Sequence, residues 1–118
     1  FMNYTTKFKR EYHGLVAKTE IDLNKITKEG VMVLQITSSK RHHGNVSTNA
    51  KVVYKNPDGS FSTMIFKDYY KNIAQAKILR VTEKSLANFH NKSLEAIPAI
   101  LEEVTAMYNL NATEGEFL

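Results

Sequence analysis

The sequence predicts an α+β domain: an antiparallel sheet of four to five strands, covered on one face by a kinked or broken C-terminal helix. Three observations predict it. Apolar and polar residues alternate over the first two-thirds, the period of strands with one buried face. Asn56-Pro57-Asp58-Gly59 is a turn between extended stretches. After Thr82 the apolar residues recur at threes and fours, the period of a helix. Such an order leaves one sheet face for water or a partner.

Tyr4, Thr6, Phe8 and Tyr12 mark a first strand. After His13-Gly14, Leu15, Ala17, Thr19, Ile21 and Leu23 alternate again. Leu15, Val16, Thr19 and Leu23 also share a helical face, so residues 15–26 fit either element, with strand preferred. Gly30 restarts the chain, and the β-branched run 31–37 is a strand. Residues 38–45 then read as a loop.

The turn at Asn56–Gly59 separates residues 46–55 from 61–67 and specifies a hairpin. Pro57 presets the first turn position, Asp58 closes the turn and Gly59 takes the left-handed residue. With Asn56 opposite Ser60, Ala50, Val52, Tyr54, Ser62, Met64 and Phe66 share one face. Lys51, Val53, Lys55, Phe61, Thr63 and Ile65 share the other, mixing cations with apolar groups. Asp68 can cap a helical turn over 69–76, and 77–81 reads as a last strand.

Thr82 caps the long helix, with Glu83 against its dipole. Leu86, Phe89, His90, Leu94, Ile97, Leu101, Val104 and Tyr108 form its apolar stripe. Pro98 removes a donor and crowds the Leu94 carbonyl, so the helix kinks or breaks there. Residues 109–118 are expected to fray, although Phe117 and Leu118 could dock elsewhere.

A chain of 118 residues is expected to form a single domain. Residues 2–81 are mainly β and basic, 82–110 helical and acidic, and 111–118 a tail. Residues 1–80 carry 14 Lys+Arg against 6 Asp+Glu, a net of +8; residues 81–118 carry 2 against 6, a net of −4. A basic body suits a polyanionic partner. Cysteine is absent, which excludes disulfides, thiolate metal sites and thiol nucleophiles. No apolar run approaches the roughly 18–20 residues that span a bilayer, so no membrane is expected. The start, Phe1-Met2-Asn3-Tyr4, lacks a secretory pattern, and Phe1 reads as an addition ahead of a native Met2. The expected location is the cytoplasm of a bacterium or of a host cell. Abundant Lys and Asn with scarce Arg, Pro and Trp fit an AT-rich microbial or viral genome.

Residues 30–56 hold no carboxylate but carry Lys40, Arg41, Lys51 and Lys55 beside His42 and His43. Small hydroxyls, Gly44 and clustered cations in the 38–45 loop are what a phosphate contact needs, and equally what a solvated hairpin tip carries. Aromatic rings lie among cations: Phe8 beside Lys7, Lys9 and Arg10; Tyr54 beside Lys55; Phe66, Tyr69 and Tyr70 between Lys67 and Lys71. Single-stranded nucleic acid is gripped by such a mixture, because bases stack on rings while Lys and Arg follow phosphates. Half of these rings must build the core, and Phe61 and Tyr70 are the best candidates for exposure.

A metal would need His13, His42, His43 and His90 to converge. Adjacent histidines on a strand point to opposite faces, and His90 sits on the apolar side of the helix as a satisfied buried residue, so no metal is expected. Ser38 or Ser39 with His42 or His43 supplies a nucleophile and a base without diagnostic spacing, so no catalytic residue is assigned. No cofactor is implied.

The order of strands followed by a strand running into a helix (residues 77–81, Thr82, Glu83, Leu86) resembles the transcriptional-coactivator family of single-stranded DNA binders. It covers residues 31–108 in layout alone. The expectation is a non-enzymatic binding module contacting nucleic acid, single-stranded by preference, through a basic, aromatic-containing sheet face and the 38–45 loop. Its contact residues would be Lys40, Arg41, His42, His43, Lys51, Lys55, Phe61 and Tyr70. The alternative is a phage or mobile-element inhibitor or adaptor, for example one that blocks a host defence nucleoprotein complex. A homodimer through the C-terminal helix is a further possibility.

Overall fold

The computed structural model describes residues 4–12, 14–40, 45–60 and 69–110. Five strands, β1 (Thr6–Glu11), β2 (Gly14–Thr27), β3 (Gly30–Lys40), β4 (Asn45–Lys55) and β5 (Tyr70–Lys77), form one antiparallel sheet in chain order. Two helices follow, α1 (Glu83–Ser93) and α2 (Ile97–Tyr108), joined by a 3-10 turn at Leu94–Ala96. The fold is α+β, and the sheet is open at both edges, β1 and β5.

Alternation decides residues 15–26 in favour of strand. Along β2, Ala17, Thr19, Ile21 and Leu23 face the helices and are buried. The register then shifts between Asp22 and Ile26. Asp22 Oδ1 accepts the Asn24 N–H at 2.7 Å, holding Asn24 at φ 57° and bending the strand. Beyond the bend, Lys25 Nζ donates to the Tyr108 carbonyl at 3.1 Å and ties β2 to the end of α2.

Gly30 opens β3 at φ 130°, and a Cβ there would lie 2.4 Å from the Lys55 carbonyl oxygen. Backbone conformation and backbone contact therefore both demand glycine. Gly30→Ala is expected to cost about 2 kcal/mol or more, read as a lower urea midpoint with unchanged slope. A loss below about 0.5 kcal/mol would show that β3 and β4 part there at little cost.

The turn after β4 forms as the sequence indicates. Asn56 N–H donates to the Ser60 carbonyl at 2.7 Å, and Gly59 N–H to the Asn56 carbonyl at 2.9 Å, with Gly59 at φ 90°. The expected partner strand at 61–67 lies outside the described residues, as does Asp68.

Three expectations are corrected. Residues 70–77 are a strand, not a helical turn, and 78–82 are a connection, not a strand. Cross-strand pairing from Asn45↔Lys77 to Lys51↔Tyr70 overrides the helix preference of Ala74, Gln75 and Ala76. Residues 38–40 continue β3 and are not loop.

The helices cover one face of the sheet. Ile97, Ile100, Val104 and Leu110 pack on Ile21, Leu23, Met32, Leu34, Ile36, Ala50 and Val52. Leu86 packs on Leu15, Ala17 and Val46 in a second cluster. Thr82 caps α1: its Oγ1 accepts the Ser85 N–H at 3.1 Å, while its own N–H donates to Ser85 Oγ at 2.8 Å. The helix breaks just before Pro98, which falls in the first turn of α2, where its missing donor costs nothing. No helix among the described residues is long and apolar enough to cross a membrane.

Candidate nucleic-acid interface

Strand register sorts the polar residues onto two faces. On the helix side, a chain of hydroxyls runs through a buried histidine. His90, 0% exposed, places Nε2 at 2.8 Å from Thr19 Oγ1 and Nδ1 at 2.6 Å from Ser38 Oγ. Thr19 continues to Thr6 at 3.0 Å. Ser38 continues to Thr48 at 2.6 Å, and Ser93 Oγ lies 3.0 Å from Thr48 Oγ1. Both ring nitrogens are satisfied, and α1 is thereby bonded to β2 and β3. Burial pushes the imidazole pKa down to about 4, so His90 is neutral.

A serine this close to an imidazole invites comparison with an activated nucleophile. Here both partners are fully buried, and a hydroxyl rather than a carboxylate orients the ring. The arrangement locks helix to sheet. Among the described residues no three His, Asp or Glu side chains gather around a common point. His13, His42 and His43 lie outside the described residues.

The opposite face has a different character. Cross-strand partners place Lys7, Lys18, Thr37, Asn49 and Asn72 in one row spanning all five strands. The next row holds Glu20, Gln35, Lys51 and Tyr70. Lys9 and Lys77 belong to the same face. Lys7 and Lys18 stand directly opposite each other, a like-charge pair that disfavours the bare sheet and favours a bound anion. Of the carboxylates here, Glu20 is neutralised: its Oε1 accepts from Lys55 Nζ at 3.0 Å and its Oε2 from Gln35 Nε2 at 3.3 Å. Both members of that ion pair are about one-third exposed, a geometry that contributes under about 1 kcal/mol. Val16, Val33 and Val53 fill the space between and are buried. In the middle of the lysine row, Thr37 Oγ1 and Asn49 Oδ1 are buried without a hydrogen-bond partner.

Glu11 and Asp22 also belong to this face, and four further acidic side chains lie behind. Glu83, Glu95, Glu102 and Glu103 all stand exposed on the helical segment. Glu103 also clasps β5: Lys71 Nζ donates to its Oε2 at 2.9 Å and Tyr69 Oη to its Oε1 at 2.8 Å. Those two bonds hold the Glu103 carboxyl below its usual range. Burial, then the Glu103 contact, raises the Tyr69 phenol. Tyr69 and Lys71 are thus occupied on the helix side, and from the run Tyr69–Lys71 Tyr70 alone turns to the open face, 55% exposed.

The structure brings together some expected contact residues and separates others. Lys51 and Tyr70 are direct cross-strand partners, and Lys55 shares their face. Lys40 pairs with Val46 and so belongs to the helix-side face, at the end of β3. It is not part of the Lys51–Tyr70 surface. Arg41, His42, His43 and Phe61 lie outside the described residues. Lys18, Asn49 and Asn72 escaped the sequence reading because strand register, not local spacing, aligns them. No protein-family model, curated protein or solved structure matches the chain, so the layout resemblance transfers no residue roles.

Proposed function

We propose that this protein is a small binding module that holds single-stranded nucleic acid on the open face of its sheet, without turning it over. The observation that carries this reading is the row of Lys7 and Lys18 beside the Lys51–Tyr70 pair, on the face away from the helices. Lysines along the strands neutralise phosphates, and the exposed ring of Tyr70 offers a stacking surface. An unpaired base exposes the π-face that stacking requires, whereas a duplex hides it, which supports single strands over duplexes. The acidic helical surface repels the same polyanion and so restricts it to one side.

Fluorescence anisotropy with labelled single-stranded DNA, single-stranded RNA and duplex DNA tests this reading. The expected result is micromolar or tighter binding with a strand preference. Tyr70→Ala should weaken single-strand binding by about 5- to 100-fold, the worth of one stacked base. Equal, weak binding to all three ligands that vanishes near physiological salt would contradict the proposal, leaving only generic charge attraction.

Helix-mediated pairing of two copies has less to recommend it. Leu86, Ile97, Ile100 and Val104 are spent on the sheet, and Met107 is the one large apolar residue exposed among those described in α1 and α2.

A further inference from the structure

β5 is not one continuous ladder. Its pairing with β4 shifts between Thr48 and Asn49, which leaves Ile73 out of the register. On one side of the shift Ala74, Gln75, Ala76 and Lys77 pair in sequence with Thr48, Ser47, Val46 and Asn45. On the other side only Tyr70, Lys71 and Asn72 pair, with Lys51, Ala50 and Asn49. A bulge disrupts the ladder and bends the strand, so this short arm gains little from the regular half. Beyond Tyr70 the Val52 N–H reaches the Tyr69 carbonyl at 3.4 Å, a long bond. The arm with the weaker hold on the sheet is the one that carries Tyr70, the exposed ring of the open face.

The helix layer supplies the missing hold. Tyr69 and Lys71 lie on either side of Tyr70 in the chain, and both meet one carboxylate behind the sheet. Tyr69 Oη donates to Glu103 Oε1 at 2.8 Å, and Lys71 Nζ donates to Glu103 Oε2 at 2.9 Å. Both oxygens of Glu103 are thus engaged. The helix that carries it is fixed in the core through Ile100 and Val104. Successive side chains of a strand point to opposite faces, so gripping 69 and 71 from behind turns residue 70 forward.

We propose that Glu103 is a positioning residue for the single-strand site: it presents Tyr70 for stacking by clasping the residues on both sides of it. The inference rests on the functional reading above and adds to it a residue on the far side of the sheet. Charge alone gives the opposite expectation. Glu103 is an exposed anion, and removing it also releases the Lys71 ammonium; both changes favour a polyanion. A fall in affinity when this carboxylate is lost therefore reports position, not charge.

The test compares Glu103→Ala with Glu102→Ala, which removes an equal charge from the next residue, exposed and outside the clasp. Glu103→Ala should bind a labelled single-stranded DNA about three- to fivefold more weakly than the wild type, the scale of an exposed charged contact. Glu102→Ala should bind at least as tightly as the wild type. A 2-aminopurine base in the same oligonucleotide should be quenched less by Glu103→Ala, as it should be by Tyr70→Ala, because the quenching reads stacking. In the Tyr70→Ala background, Glu103→Ala should cost no further affinity. Circular dichroism of both single variants should match the wild type, since the Lys71–Glu103 pair is nearly half exposed. Glu103→Ala binding as tightly as the wild type, or losing the same factor again without Tyr70, overturns the inference and leaves the functional reading standing. A wild type that binds no single strand overturns both.

Discussion

Replacing His90 with alanine is expected to remove about 3–4 kcal/mol of unfolding free energy, a large share of the roughly 5–15 kcal/mol a domain possesses. Two losses combine. The imidazole leaves a cavity between α1 and the sheet, and large-to-small core changes cost about 2–5 kcal/mol. The hydroxyls of Thr19 and Ser38 each lose a partner in a site with no exposure, and an unmet buried group costs about 1–3 kcal/mol. Rearrangement within the Ser38–Thr48–Ser93 chain recovers part of this. Urea denaturation of the purified variant measures it, and a loss below about 1 kcal/mol would show that water replaces the ring without penalty.

The same residue sets a pH dependence. Its ordinary pKa of 6.5 falls to about 4 in the fold because burial opposes the charged ring. Between those values the unfolded chain binds a proton that the native chain refuses. Stability therefore rises with pH across this window, is fully present above about pH 6.5 and is lost as pH falls through about 4. The difference, 6.5 − 4, corresponds to up to about 3 kcal/mol. Glu103, whose carboxyl is also held low, adds a loss at the acid end in the same direction. Urea midpoints at pH 7 and pH 5 should differ in the wild type, and the difference should shrink in His90→Ala. An unchanged difference would place the proton uptake elsewhere.

Much of the architecture is legible in the chain because it rests on local rules. Alternation from Leu15 to Leu23, the Asn56–Gly59 turn and the Thr82 cap each depend on neighbours in sequence. So does the helix break, since Pro98 acts on the preceding turn. What depends on pairing is not legible. The segment Tyr70–Lys77 contains good helix formers and becomes a strand through its ladder with β4. Thr19, Ser38 and Thr48 interrupt the apolar pattern on three strands, and nothing in their spacing says that they join one hydrogen-bonded chain running through His90. Lys40 and Lys51 look equivalent in a basic stretch, yet parity along β3 and β4 sends them to opposite faces.

The lysine face carries the second large expectation. Changing Lys7, Lys18 and Lys51 together to glutamine should lower single-strand affinity at low salt by about 100-fold or more. For three phosphate contacts, the slope of log affinity against log salt should also fall by about 2. The fold should survive, since Lys7 and Lys18 repel each other in the native sheet.

The decisive measurement sets this variant beside Lys28→Gln/Lys84→Gln/Lys92→Gln, which removes the same net charge from exposed positions off the face. Fluorescence anisotropy with one labelled single-stranded DNA, across a salt series, reads both. The sheet-face account predicts that the first variant loses affinity and about 2 from its salt slope while the second stays near the wild type. Equal losses in the two variants would mean that total charge, not this face, holds the nucleic acid.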